Sequence, residues 1–245
     1  MSHESYEVNT VAPLTNVGIC MEVVQRALQR PPHLPGIVCF SGPSGFGKST
    51  AAGYVANRLK AYYIECKSTW TRKAVLMAIL REMGIPAAKT IYEMTDQISE
   101  QLALSGRPLI IDEMDHLVEK KAVEIVRDIH EGAGGAAILL LGEEQLPNKL
   151  KCWERFDGRI LDWKQAEPVS LTDIAHLCRL YCPDVAIGED LLVRMHELAN
   201  GSARRVCVNL DLVREEARRE GWDEVDLNRW GSRRLFTGRA PGRRA

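Results

Sequence analysis

The chain has 245 residues, enough for one large domain or for a domain with a small satellite. An apolar fraction of 45% supports a buried core and excludes a disordered chain. No apolar run approaches the ~20 residues that span a bilayer, and "MSHESYEVNT" lacks the features of a secretory leader, so the expectation is a cytoplasmic protein without membrane association. Seven cysteines, an odd number without paired spacing, fit reduced thiols. Cys178 and Cys182 lie four apart, yet no second pair completes a zinc site. The net charge of −1 hides an asymmetry: residues 229–245 hold Arg229, Arg233, Arg234, Arg239, Arg243 and Arg244 with no acid, leaving −7 on the rest. A basic tail on an acidic body suggests a polyanionic partner.

In chain order, "GIVCFS" (36–41) predicts a buried strand, and a helix begins near Lys48. "AYYIEC" (61–66) predicts a second strand, followed by helices over 71–83 and about 91–104. Arg107-Pro-Leu-Ile-Ile-Asp-Glu113 is a strand ending in two carboxylates. The apolar stripe Val118, Ala122, Ile125, Val126 and Ile129 predicts a continuous helix over 117–130. Strands follow at 136–142 and 159–163. From Pro168 only helical periodicity is visible, with a cap at Ser170 and Asp173 and stops at Gly201 and Gly221. The expected organisation is an α/β nucleotide-binding domain (1–166) with a parallel sheet flanked by helices, a small helical lid (167–222) and a basic tail (223–245).

The chemistry starts from "SGPSGFGKST". Gly42, Pro43, Ser44, Gly45, Phe46, Gly47, Lys48 and Ser49 match G-x-x-x-x-G-K-[ST], and Thr50 extends the loop. Glycines let backbone amides turn inward around phosphates, Lys48 can reach the β- and γ-phosphates, and Ser49 can coordinate Mg²⁺. Asp112 at the end of an apolar strand can hold the Mg²⁺ shell, and Glu113 can polarise a water in line with the γ-phosphorus. Together these residues predict hydrolysis of ATP with Mg²⁺. Arg155 and Arg159 in "WERFDGRI", and Arg204 and Arg205 in "NGSARRVCVN", can stabilise charge on the transferring phosphoryl group.

The order of phosphate loop, Asp-Glu strand, "LLLGEE", "RFDGRI" and helical "GSARR" resembles the AAA+ ATPases over roughly residues 10–225. "IIDEMDHLVEKKAVEIVRDIHEGAGGAAILLLGEEQLPNKL" is similar to the AAA+ ATPases that serve DNA transposases, the family of transposition protein B of Mu-like phages. The resemblance implies a P-loop AAA+ core with a helical lid. It assigns Lys48 and Ser49 to Walker A and Asp112 and Glu113 to Walker B. Arg204 falls at the sensor 2 position, and Arg159, with Arg155 as fallback, at that of the arginine supplied in trans. At sensor 1 the family pattern has a neutral polar residue, whereas this chain has Glu143, an acid that repels phosphate unless Mg²⁺ or an arginine compensates. Assembly into a ring or a helical filament on double-stranded DNA, with delivery of that DNA to a transposase, follows as the implied function.

The segment after the second strand, which faces the channel in AAA+ assemblies, supplies the DNA-binding candidates Lys67, Ser68, Thr69, Arg72 and Lys73. The alternative is an ordinary loop capping the next helix. A helicase loader or replication-associated ATPase is the competing function, and a nucleotide-gated signalling switch the third. About 20 residues after Gly221 are too few for an initiator's helix-turn-helix domain, and no repeat array marks a signalling switch.

Overall fold

The computed structural model describes residues 12–238, in two compact units. Arg239, Arg243 and Arg244 of the basic tail, and the leader-region reading of residues 1–10, lie outside the described residues.

The first unit, Asn16–Ala166, is the α/β layer structure expected from the alternation of apolar runs and helical stripes. Helix α1 (Thr15–Gln29) leads into strand β1 (Ile37–Ser41), helix α2 (Lys48–Leu59) and strand β2 (Tyr62–Glu65). Helices α3 (Arg72–Glu82) and α4 (Ile91–Ser105) precede strand β3 (Leu109–Asp112). Helices α5 (Asp115–Glu119) and α6 (Val123–Gly132) then lead to strand β4 (Ile138–Gly142). Short helices α7 (Leu146–Lys151) and α8 (Glu154–Asp157) precede strand β5 (Ile160–Gln165). The sheet is parallel throughout, in the order β2-β3-β4-β1-β5. Strands β1, β3 and β4 are buried at every residue, which is why they read as unbroken apolar runs rather than alternating ones. Because β1 lies between β4 and β5, the loop after it opens at the switch point of the sheet, where ligands of such folds collect.

Three local expectations are corrected. The helix foreseen over 117–130 is two helices, because Lys121 adopts a left-handed conformation (φ 52°) and the chain turns between Lys120 and Ala122. The apolar stripe is genuine on both pieces, so its period carries across the break. Helix α1 is not among the expected elements, although its buried Val17, Cys20, Val23, Val24 and Ala27 follow three–four spacing. Helices α7 and α8 are too short for periodicity to reveal.

Among the described residues, the second unit comprises 12–15 and 167–238. It holds helices α9 (Leu171–Tyr181), α10 (Glu189–Ala199) and α11 (Ala203–Glu220) around a core that includes Ile174, Leu191, Met195, Val206, Leu210 and Val213. Ser170 and Asp173 form the expected capping box on α9. Helical periodicity is not the whole of this unit. Strands β6 (Ala186–Ile187) and β7 (Glu224–Val225) pair in parallel, and helix α12 (Leu227–Trp230) follows. Residues 224–230, expected within the tail because the last helix stop was read at Gly221, are therefore folded, with Trp230 only 4% exposed. The backbone of Phe236 is fixed by both ends of the buried Asn209 amide, at 3.0 and 2.6 Å.

Candidate functional site

The phosphate loop is held by close packing at its entrance and by backbone freedom at its exit. A Cβ at Gly42 would lie 2.8 Å from the Ala166 Cβ, so β1 reaches its loop beside the end of β5 only with glycine there. Gly47 (φ 85°) caps α2 in a left-handed conformation, and its carbonyl accepts from the Ala51 N–H at 2.9 Å. Helix α2 thus begins at Lys48 with its N-terminus toward the loop, the geometry that attracts anions. Ser49 and Thr50 lie exposed in its first turn. The Asn16 amide of α1 donates to the Phe46 carbonyl at 2.9 Å, a brace from an element that the motif does not include.

Lys48 Nζ donates to the Gly42 and Pro43 carbonyls at 2.7 and 3.0 Å, bending the ammonium over the loop. Burial lowers its pKa, and the charges of Asp112, Glu113, Glu143 and Asp115 pull it back up. The structure therefore brings these four carboxylates and the lysine into one electrostatic neighbourhood.

Asp112 ends β3 with only 2% of its surface exposed. One carboxylate oxygen accepts from the Glu113 N–H and the other from the Tyr63 hydroxyl on β2, both at 2.8 Å. Burial, then the charge of Asp112, pushes the Tyr63 phenol well above its ordinary range, so it stays a donor at neutral pH. Glu113 leaves the strand in a left-handed conformation (φ 54°), which for a non-glycine residue costs roughly 1–3 kcal/mol that its surroundings must offset. Here Met114 N–H donates to Leu141 O at 2.8 Å and His116 N–H donates to Glu113 O at 3.1 Å, fixing both sides of the turn. Burial, then the adjacent Asp112 charge, raises the Glu113 pKa, in the direction a general base at neutral pH requires.

Two supporting residues were missed by the sequence reading. Asp115, 4% exposed, accepts from Lys149 Nζ and from the Glu143 N–H, both at 2.7 Å. It pins the β4–α7 loop through Glu143's backbone, while the Glu143 side chain is exposed. The second Asp of D-E-x-D was the visible signal for it. Tyr63 had no signal beyond the alternation of its strand.

Asp112 and Ser49 are both hard oxygen donors, and the buried Asp112 carboxylate has its orientation fixed on both oxygens, a donor set that suits Mg²⁺. Among the described residues no cluster of three or more His, Cys, Asp or Glu suited to a metal is present, so any ion here would rely on nucleotide and water for its remaining ligands.

Arg159 lies at the opposite edge of the sheet. Its carbonyl accepts from the Ile37 N–H at 3.2 Å, at the start of β1, whereas Lys48 follows the end of that strand. Five residues at ~3.3 Å each separate those edges by ~16 Å, too far for Arg159 to serve its own phosphate loop. Its guanidinium pairs with Glu131 at 2.7 Å in the exposed layer. Arg155 is exposed on α8, and Arg204 is exposed in the first turn of α11 in the other unit. Arg205, its neighbour, donates to Ala199 O at 3.2 Å.

The segment after β2 is joined to the site by Cys66, whose N–H donates to Asp112 O at 2.9 Å. Lys67, Ser68, Thr69, Arg72 and Lys73 are all exposed. Arg72 donates to Lys121 O at 2.7 Å and Lys73 to Lys89 O at 2.8 Å, while Thr71 caps α3. The helix-capping role is thus real, and Lys67 is the candidate cation whose ammonium has no hydrogen-bond or ion-pair partner among the described residues.

Residues 32–150 match the family model of an AAA domain. No curated protein matches the chain by sequence. Among solved structures, the ORC2 protein of Aeropyrum pernix in its ADP form superposes with a TM-score of 0.65 at 16% identity, covering 86% of this chain and 64% of that one. The ORC1 protein of Aeropyrum pernix in complex with DNA gives 0.62 at 18%, covering 87% and 62%. CDC6P from Pyrobaculum aerophilum gives 0.64 at 15%, covering 89% and 66%. The chain thus spans just under two thirds of each of these proteins, and at such identities the likeness is one of fold. That fold is the expected one: a parallel five-stranded α/β sheet flanked by helices.

Proposed function

We propose that the chain is an ATP-hydrolysing, DNA-associating AAA+ protein whose site is completed by the next copy. The observation that carries this reading is the separation of Lys48, Asp112 and Glu113 at the carboxyl edge of the sheet from Arg159 at the amino edge. A chain with the two halves of one site on opposite edges acts head to tail, in a ring or an open filament. Lys48 exchanges its two loop carbonyls for phosphate oxygens. Ser49 and Asp112 would hold Mg²⁺, which when bound neutralises charge on the phosphates. Glu113 accepts the proton of the attacking water, and Arg159 of the adjacent copy meets the charge on the transferring group. Arg155 is the fallback for Arg159, and Arg204 is a further arginine for that charge.

The exposed 67–73 segment, tied to Asp112 through Cys66, is the DNA contact, so that nucleotide state and DNA grip are coupled. The resemblance of 110–150 to the transposition ATPases supports delivery of target DNA to a transposase. The fold likeness to ORC1 in complex with DNA supports a second reading, a replication-associated ATPase.

The test is ATP turnover with Mg²⁺ and duplex DNA. Arg159→Ala and Glu113→Gln should each be inactive alone, while an equimolar mixture regains roughly a quarter of the parent's rate from randomly paired interfaces. No recovery in any mixture would sink the shared site. Capture of a transposase, against a replicative helicase, then separates the two readings.

A further inference from the structure

Two surfaces in different units hold much of the apolar area left in solvent. Of the twelve exposed large apolar side chains among the described residues, Ile91, Tyr92 and Leu104 lie on α4, and Leu212, Leu227 and Phe236 on the helical unit. Six of the twelve therefore lie on two elements, one helix and the wall of one groove.

Their charges are opposite. Helix α4 turns Met94, Ile98 and Leu102 inward and carries Glu93, Asp96 and Glu100 with no basic residue. Tyr92, Asp96, Glu100 and Leu104, spaced four apart, form one outward stripe that is acidic in the middle and apolar at its ends. In the other unit, Leu212, Leu227 and Phe236 line a groove of about 670 Å³ with Arg194, Arg233 and Arg234, and no acid lines it. Asn209 holds the Phe236 wall in place. Arg194 and Arg233 pair with Glu197 and Glu216 at 2.9 and 2.7 Å, while Arg234 has no partner among the described residues. Such surface pairs contribute little and yield to a better-placed acid.

We infer that α4 of one copy docks in the arginine-rimmed groove of the next. The inference rests on the head-to-tail assembly proposed above and names surfaces that hold it, away from the nucleotide. A heterologous contact needs two different, complementary faces on one chain, and these two complement each other in both charge and apolar content. The residues after Gly238 add Arg239, Arg243 and Arg244 without an acid, so their charge does not suit the groove. A phosphate backbone would satisfy the arginines but leave Leu212, Leu227 and Phe236 in water.

The experiment is a charge exchange on the full chain, read by sedimentation velocity with Mg²⁺-ATP and duplex DNA, folding being checked by circular dichroism. Asp96→Arg with Glu100→Arg, and separately Arg194→Glu with Arg234→Glu, should each raise the concentration at half-assembly by at least about tenfold. Mixing the two variants restores assembly, because every alternating contact regains opposite charges. Leu104→Asn, at a side chain 76% exposed, should weaken assembly without lowering the melting temperature. Variants that assemble like the parent, or a mixture that stays apart, overturn the inference while leaving the proposed function standing. A parent that never assembles overturns both this docking and the shared site.

Discussion

Tyr63→Phe deletes one oxygen and tests how the site holds its buried carboxylate. The hydroxyl donates to Asp112 at 2.8 Å, and Asp112 is only 2% exposed, so water cannot readily replace the lost donor. The Glu113 N–H still serves the other oxygen. A hydrogen bond to a charged group contributes about 1.5–3 kcal/mol, and the variant should lose folding stability of that order. The same bond orients the proposed Mg²⁺ ligand, and loss of such an orienting partner typically weakens metal affinity ~10–100-fold. Urea denaturation reads the first effect as a lower midpoint with an unchanged slope. Titrating Mg²⁺ against binding of a fluorescent ATP analogue reads the second, without requiring turnover. An unchanged urea midpoint together with an unchanged Mg²⁺ half-saturation would refute the role given to this contact.

Lys67→Ala should reduce the salt dependence of DNA binding by about one unit of log–log slope, with a smaller effect from Arg72→Ala or Lys73→Ala, whose donors are already engaged. Equal slopes for parent and all three variants would move the DNA contact elsewhere. For the helical unit, burial alone would raise the Asp173 pKa, but hydrogen bonds from Ser170 and Thr15 outweigh it and hold it below the usual aspartate range. A depressed folded pKa means stabilisation present above about pH 4 and lost as pH falls through the folded value. Asp173→Ala should therefore cost about 1 kcal/mol at pH 7, and the difference from the parent should shrink in acid. A pH-independent difference would show that the carboxylate charge is not what stabilises the cap.

The sequence by itself determined the elements whose signals are local. Buried parallel strands read as unbroken apolar runs, and the phosphate loop is a backbone device written directly in glycines, with Lys48 and Ser49 at fixed offsets. Asp112 and Glu113 were legible because a strand end followed by two acids is a short pattern, and the Ser170–Asp173 cap because it closes within four residues. Tertiary structure decided what depends on neighbours distant in sequence. The turn at Lys121 splits a helix whose apolar period runs through the break, so periodicity could not register it. Tyr63 and Asp112 are 49 positions apart and meet only because β2 and β3 are adjacent in the sheet. Asp115 reaches Glu143 and Lys149 across α6 and β4, and Asn209 converts arginine-rich sequence into a folded groove wall. The edge on which Arg159 stands depends likewise on β5 pairing with β1. Residue type and spacing encode which groups are present, but their separation follows from strand order and packing, which no single segment contains.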